Sequence, residues 1–231
     1  NGVLRSLLRR REELAPPAFA ADPVGALTHG ASLPAWLARR WHAAYGDHAE
    51  ALGAWSVTSP KLALRVNTGK ATREQVLAAF AGAGIEAIAS DVAPEGIRLV
   101  ANADPAGLPG YAEGWWYVQD EAAMLVARVV DPQPGEVIVD VGAAPGGKST
   151  HLAALMGDQG EVWAVDRSGA RLKLLAENAA RLGLTIVKAL EADATDLARV
   201  PAADRILLDV PCSGLGVLPR KPDLRWRQSE A

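Results

Sequence analysis

The stretch Val137-Ile-Val-Asp-Val-Gly-Ala-Ala-Pro-Gly-Gly-Lys148 decides the fold. An apolar run, an acidic residue and a turn of small residues precede a helical segment, which is the pattern of a strand, a loop and a helix in an α/β protein. Further apolar runs at 162–165, 185–187 and 206–208 alternate with a helix predicted over 168–182. Buried parallel strands are apolar without alternation, and right-handed crossovers bring their carboxyl ends to one edge. The sequence therefore predicts an α/β fold with a parallel sheet.

The chain ahead of this sheet divides into two further segments. Residues 1–30 contain the end of a helix, predicted over 1–14, and a linker rich in Pro and Gly. Residues 31–118 combine a helical connector with a strand, a helix opened by a capping box, and two more strands. We expect these strands to form a small α+β subdomain of the RRM-like kind, and residues 119–231 to form the domain with the parallel sheet.

Composition limits the partners of the chain. Its 231 residues are 49% hydrophobic and 22% charged, which is typical of a soluble globular protein. No segment reaches the roughly 18 uninterrupted apolar residues that a membrane span needs, so we expect a cytoplasmic protein. The net charge of −3 excludes binding of nucleic acid by overall charge, and an RNA would have to meet local patches. Two basic clusters could serve: Arg5, Arg9, Arg10 and Arg11, and Arg220, Lys221, Arg225 and Arg227. Scattered histidines and a single cysteine predict no metal site.

Acidic residues follow the predicted strands. Asp140, Asp166 and Asp209 each come directly after an apolar run, and Asp193 lies in the next strand-to-helix connection. Ligands bind at the carboxyl edge of such sheets, and the small residues from Gly142 onward would let backbone amides approach a ligand. An acid at the end of the second strand is placed to accept hydrogen bonds from a ribose diol. The pattern favours a cofactor that contains a nucleoside.

Two kinds of nucleoside cofactor compete. The segment 142–149 also matches the P-loop pattern G-x-x-x-x-G-K-[ST], and the run ending at Asp209 could hold magnesium. However, Pro145 removes an amide from the loop, and a P-loop gives no role to Asp166 or Asp193. A nicotinamide cofactor fits less well, because the turn lacks the G-x-G-x-x-G spacing. A ring of carboxylates suits S-adenosylmethionine, with its ribose hydroxyls and cationic groups. We prefer this cofactor and keep a P-loop-type nucleotide-binding protein as the alternative.

The single cysteine follows the last predicted strand, in Asp209-Val-Pro-Cys-Ser-Gly214. Carbon 5 of a pyrimidine becomes nucleophilic when a thiolate adds to carbon 6, after which the ring can accept a methyl group and lose its carbon-5 proton to a base. A cysteine beside a methyl donor suits this chemistry. Cys212 and Asp209 are therefore the candidate catalytic residues.

Three motifs carry a family resemblance: Asp140-Val-Gly-Ala-Ala-Pro-Gly-Gly-Lys148, Ala164-Val-Asp-Arg-Ser168 and Asp209-Val-Pro-Cys-Ser-Gly214. Flanking segments agree with them: Leu64-Arg-Val-Asn67, Val118-Gln-Asp120 and Arg220-Lys-Pro-Asp-Leu-Arg-Trp226. Together they resemble the RNA cytosine-C5 methyltransferases of the Nol1/Nop2/Sun family, in particular the bacterial Sun/RsmB type. The resemblance implies a Rossmann-like domain that transfers a methyl group from S-adenosylmethionine to carbon 5 of a cytosine in RNA, with 16S ribosomal RNA as the expected substrate.

The resemblance also implies roles for individual residues. Asp166 would bind the ribose of the cofactor and Asp193 its adenine, while Asp209 would lie near its amino group and the target base. The loop would wrap the methionine end of the cofactor with Gly142, Ala143, Ala144, Pro145, Gly146, Gly147 and Lys148.

The sequence departs from this family in two places. Gly142 stands where the family commonly has cysteine, a change expected to alter packing more than chemistry. The family's nucleophile is a second cysteine in a Thr-Cys turn, which this sequence lacks, and Cys212 matches the cysteine that assists release of the methylated base. The chain resembles an excerpt that begins in the last helix of a NusB-like RNA-binding domain and ends before that turn. We expect it to bind the cofactor without turnover. A non-catalytic RNA-binding module is the remaining alternative.

Overall fold

The computed structural model describes residues 2–10, 15–210, 212–227 and 229–230. The chain divides into two compact units, Asn1–Pro60 with Cys212–Ala231, and Lys61–Pro211. The boundaries predicted after residues 30 and 118 concern sequence domains and stay a prediction. In the part of the chain that the structure describes, no helix is both long and apolar enough to cross a membrane.

The first unit is helical. Its elements are α1 Gly2–Arg9, α2 Pro23–Gly30, α3 Ala35–Tyr45, α4 His48–Ser56 and, at the other end of the chain, α9 Leu224–Arg227. The predicted helical connector is confirmed by α3 and α4. Its core consists of Leu27, Leu33, Leu37, Trp41, Ala49 and Leu218 among others.

Of two sequence predictions in this unit, one is wrong and the other is confirmed over the described residues. The linker prediction is wrong for Pro23–Gly30, which is helix α2. Pro23 suits a first helical turn, and the side chain of Asp22 accepts a hydrogen bond from the Gly25 amide at 2.8 Å. The helix predicted over 1–14 is confirmed over Gly2–Arg9; the part at 11–14, including Arg11, lies outside the described residues.

The second unit begins with a four-stranded antiparallel sheet. Its elements are β1 Ala63–Val66, α5 Arg73–Gly82, β2 Ala87–Ala89, β3 Gly96–Leu99 and β4 Trp116–Val118, and the strand order is β2-β3-β1-β4. The predicted capping box is present, since Thr72 Oγ1 accepts from the Gln75 amide at 3.2 Å and Gln75 Oε1 accepts from the Thr72 amide at 2.8 Å. The sheet packs around Leu64, Phe80, Ile97 and Trp116.

The predicted parallel sheet is confirmed in the second half of this unit. Its elements are α6 Glu121–Val130, β5 Val137–Val141, α7 Gly147–Leu155, β6 Glu161–Asp166, α8 Gly169–Leu182, β7 Val187–Glu191 and β8 Arg205–Leu208. All strand pairs are parallel, in the order β7-β6-β5-β8. The strand predicted at 185–187 begins later, because the Thr185 amide and hydroxyl both donate to the Asp158 carboxylate at 2.8 Å.

Candidate cofactor-binding site

The acidic residues lie along one edge of the parallel sheet, as predicted. In the strand order they are Asp193, two residues after β7, Asp166, the last residue of β6, Asp140 within β5, and Asp209, directly after β8. Asp140 is inside its strand because β5 extends to Val141 and pairs on both sides.

A pocket of about 200 Å³ opens at the end of β5. The loop after β5 forms one side of it, together with Lys148 and Asp209. The other side consists of Tyr117, Val118, Gln119 and Ala123, from β4 and the start of α6. Pockets for whole ligands are typically about 300–1,000 Å³, so this space suits one end of a nucleoside cofactor, with the rest along the open edge.

The loop needs glycine at two positions with positive φ. Gly142 has φ 80° and Gly146 has φ 102°, in the left-handed region that favours glycine. A Cβ atom on Gly142 would lie 2.4 Å from the carbonyl oxygen of Asp209. This chain therefore brings the loop and the segment after β8 closer together than a side chain at position 142 allows.

The backbone amides of the loop bond within the protein. The amides of Gly142 and Ala143 donate to Val165 O at 2.9 and 3.0 Å, and the Gly146 amide donates to Ala143 O at 2.9 Å. The Ala144 amide donates to Asp166 Oδ2 at 3.1 Å. These four amides are therefore bonded within the protein, as the amides of a buried loop must be; the binding of a cofactor by residues 142–148 stays a prediction. In a P-loop, amides of the loop hold phosphate instead, so the bonds of these four amides argue against a P-loop.

Asp140 is the most deeply buried acid of the site. Its side chain is fully buried, and Ser149 Oγ donates to its Oδ2 at 2.6 Å. Its Oδ1 has no hydrogen-bond partner among the described residues, and Asp140 lines the pocket. Burial raises the pKa of this carboxyl to about 6, although the bond from Ser149 opposes the shift. An unsatisfied carboxylate oxygen beside a pocket suits a cationic donor from a ligand.

Lys148 forms an ion pair at the rim of the pocket. Its Nζ lies 2.5 Å from Asp209 Oδ2, and the two side chains are 21% and 48% exposed. A P-loop lysine must instead be free to reach phosphate oxygens. Ser149, which would hold magnesium in a P-loop, donates its hydroxyl proton to Asp140.

Asp166 and Asp193 lie outside the pocket lining. The Asp166 carboxylate accepts hydrogen bonds from the amides of Ala144 and Ser168. Arg171 Nη1 lies 3.6 Å from Asp166 Oδ2, and Arg171 Nη2 donates to Ala144 O. Each carboxylate oxygen has two acceptor sites, so Asp166 can still accept from ligand hydroxyls. Sequence reasoning gave Arg171 no role in holding the loop.

Asp193 shapes the turn after β7. It accepts from the amide and the hydroxyl of Thr195 at 2.9 and 2.7 Å. The bond from the Thr195 amide, followed by that from its hydroxyl, lowers the pKa of Asp193. Its half-exposed carboxylate lies 3.7 Å from Nη1 of the exposed Arg167.

Cys212 is exposed and belongs to the first compact unit. The Gly214 amide approaches its Sγ at 3.4 Å. Pro211 lies outside the described residues, and the place of Cys212 beside a methyl donor stays a prediction. Among the described residues, no group of three or more His, Cys, Asp and Glu side chains could hold a metal ion.

The prediction that the basic cluster near the end of the chain could contact RNA is wrong for Arg225. This side chain is buried, and it donates to Ala31 O at 2.9 Å and to Ser56 O. It therefore satisfies carbonyl groups at the ends of α2 and α4 and cannot contact RNA phosphate. Arg227 is exposed and pairs with Asp223 at 3.1 Å.

Sequence reasoning missed the contribution of the antiparallel sheet to the pocket. Tyr117 and Gln119 line it, and Arg65 lies behind them. The segments Leu64-Arg-Val-Asn67 and Val118-Gln-Asp120 agreed with the family motifs and were the available signals.

A parallel sheet with acidic residues at its carboxyl edge, a glycine-rich loop after β5 and an additional antiparallel sheet are typical of a Rossmann-like methyltransferase class. Residues 127–231 match the family model "16S rRNA methyltransferase RsmB/F". Residues 33–104 match the model of the RsmF/B-like ferredoxin-like domain. The chain belongs to the RsmB/F family of methyltransferases.

Relatives and solved structures agree with this assignment. The chain is 45% identical over 236 residues to "Probable ribosomal RNA small subunit methyltransferase B" of Synechocystis sp., covering 100% of the chain and 52% of the relative. The identically described protein of Bacillus subtilis is 42% identical over 232 residues, covering 98% and 51%. The chain thus spans about half the length of the curated relatives it matches.

A methyltransferase homologue from Pyrococcus horikoshii has a similar structure, with a TM-score of 0.75 and 28% identity over 83% of this chain and 64% of that one. NSun6 of the same organism, crystallised with SFG, gives a TM-score of 0.72 at 23% identity over 84% and 73%, which supports the fold. S-adenosylmethionine is the cofactor of this family. The unpartnered Oδ1 of Asp140 and the carboxylate edge fit its ammonium group and its ribose hydroxyls.

Proposed function

We propose that this chain is the donor-binding part of an RNA (cytosine-C5) methyltransferase that acts on 16S ribosomal RNA in the cytoplasm. The observation that carries the proposal is Asp140, a fully buried carboxylate with one unpartnered oxygen at the pocket. The similarity to ribosomal RNA small subunit methyltransferases supports the substrate class.

The donor would lie along the sheet edge with its methionine end in the pocket. There the loop residues 142–148 surround it, and Asp140 Oδ1 accepts from its ammonium group. Asp166 accepts from the ribose hydroxyls, and Asp193 accepts from the adenine amine. Lys148 neutralises Asp209, which limits the negative charge around the cationic donor and the target base.

The bound cofactor would supply an electrophilic methyl group. In the chemistry of the resembled family, a thiolate adds to carbon 6 of the cytosine, carbon 5 takes the methyl group and gives its proton to a base, and the thiolate then leaves. Asp209, at the rim of the pocket, is the proposed group near the base. Cys212 corresponds to the cysteine that assists release, and this sequence has no second cysteine. We therefore propose cofactor binding without turnover for this chain.

Calorimetric titration tests the cofactor. The chain should bind S-adenosylmethionine without magnesium and should not bind ATP or GTP with magnesium. Binding of a nucleoside triphosphate would support the P-loop alternative, and binding of RNA alone would support a non-catalytic RNA-binding module. Either result, without binding of S-adenosylmethionine, contradicts the proposal.

Transfer of a labelled methyl group tests the missing turnover. Residues 1–231 incubated with labelled donor and 16S ribosomal RNA should leave the RNA unlabelled. Label at carbon 5 of a cytosine would show that Cys212 acts as the nucleophile itself.

A further inference from the structure

Arg65 is a buried cation in the middle of β1. Its side chain is 1% exposed, and burial lowers its pKa to about 9, so it stays charged at neutral pH. Burying a guanidinium costs free energy unless its donors are satisfied. The partners of Arg65 therefore indicate what this charge does in the fold.

The guanidinium bonds to both sides of the pocket. Nη1 donates to Gln119 Oε1 and to Gly147 O, both at 2.5 Å, and Nη2 donates to Thr150 Oγ1 at 3.0 Å. The guanidinium carbon lies 5.5 Å from the ring centre of Tyr117. Three of these four partners, Gln119, Gly147 and Tyr117, line the pocket.

The partners belong to segments that are far apart in sequence. Tyr117 and Gln119 lie in or next to β4, whereas Gly147 and Thr150 form the first turn of α7. The two segments pack closely, since a Cβ atom on Gly147 would lie 3.3 Å from Tyr117 Cε1 and 3.8 Å from Gln119 Nε2. Thr150 Oγ1 in turn donates to Gly146 O at 2.7 Å, which extends the network into the loop.

We propose that Arg65 is a positioning residue for the methyl-donor pocket, which sets the distance between the loop after β5 and the wall formed by Tyr117 and Gln119. This inference rests on the proposed function. The planar guanidinium fork holds a carbonyl, an amide and a hydroxyl at fixed angles, which a lysine ammonium cannot reproduce. The antiparallel sheet thereby completes a site whose acidic residues come from the parallel sheet, and the pocket is formed before the donor arrives.

A second arginine in the same unit, which is partly exposed, provides a control. Arg128, on α6, donates to the buried Glu95 in the turn before β3 at 2.5 Å, so this ion pair links α6 to the antiparallel sheet. Neither residue lines the pocket. Loss of this ion pair should lower the thermal stability of the second unit without changing the pocket wall.

The test compares R65M, R65K and R128M with the unchanged chain. Titration with S-adenosylmethionine should show an affinity loss of about tenfold or more for R65M and R65K, as expected when charge-assisted bonds that shape a site are lost. R128M should bind within about twofold of the unchanged chain, although it lowers the midpoint of thermal unfolding. R65K keeps the charge and serves if R65M does not fold.

Hydrogen exchange of the free chain gives a readout independent of binding. Amides of residues 147–150 should exchange faster in R65K than in R128M at equal overall stability. The inference is overturned if R65K leaves both the affinity and the exchange rates unchanged. It is also overturned if R128M loses as much affinity and protection as R65K, since Arg65 would then contribute only to the general stability of the unit. If the unchanged chain does not bind S-adenosylmethionine at all, the proposed function fails as well.

Discussion

Ser149 Oγ donates to Asp140 Oδ2 at 2.6 Å and leaves Asp140 Oδ1 without a partner among the described residues. This asymmetry characterises the site, because Ser149 holds one oxygen of a carboxylate that lines the pocket, whereas the other oxygen is buried without a hydrogen bond. It also gives Ser149 the role of holding the Asp140 carboxylate in place.

Asp140→Asn should weaken binding of S-adenosylmethionine about tenfold at pH 7.5, because a charge-assisted hydrogen bond to the ammonium group is lost. Calorimetry measures the change. Asp196→Asn, an exposed acid of the loop after β7, is the control and should leave the affinity unchanged. Equal affinity in D140N would remove Asp140 from the proposed site.

The affinity of the unchanged chain should fall as the pH decreases through about 6, where Asp140 takes up a proton. In D140N this dependence should be flat. Titrations between pH 5 and pH 8, with both proteins, measure it. A fall that persists in D140N would assign the titration to another group.

The stability of the free chain should show the opposite trend at Asp140. Its pKa in the folded chain is about 6, above the ordinary value of 3.8, so between these values the folded chain holds a proton that the unfolded chain has released. The contribution of Asp140 to stability therefore grows as the pH falls through this window. The difference in unfolding free energy between the unchanged chain and D140N, measured in urea from pH 7 to pH 4.5, should shift in favour of the unchanged chain. No shift would mean that the pKa is not raised.

Gly142→Ala should destabilise the chain by about 3 kcal/mol, because strain at φ 80° adds to a contact 2.4 Å from Asp209 O. Gly135→Ala is a matched control, since Gly135 has φ 90° with no other atom within 4 Å of its added Cβ. The control should lose only about 1 kcal/mol. Urea unfolding of both variants separates the clash from the backbone strain, and equal losses would contradict the close approach of loop and strand end.

Arg225→Met should lower the unfolding free energy of the first unit by about 2 kcal/mol, because it leaves the carbonyl groups of Ala31 and Ser56 without this donor. Arg227→Met, at an exposed ion pair, should change it by less than about 0.5 kcal/mol. The reverse order of the two losses would argue against the buried position of Arg225.

Much of the fold could be predicted because its signals are local. The apolar runs of β5, β6 and β8 and the capping box of Thr72 and Gln75 depend on neighbours in sequence, and so does the position of Asp166 and Asp209 at the end of a strand. Thr185 is a counterexample, because Asp158 from a distant turn holds it outside the strand.

The sequence by itself determined the parallel sheet, its acidic edge and the family motifs, since periodicity and chain order decide which residues reach that edge. Only the tertiary structure decided which way the loop amides face, that Arg225 is buried, and that Arg65 reaches both sides of the pocket. These contacts join residues distant in the chain, and whether a charged or polar group faces solvent or a buried partner depends on the packing of segments that the local sequence does not specify.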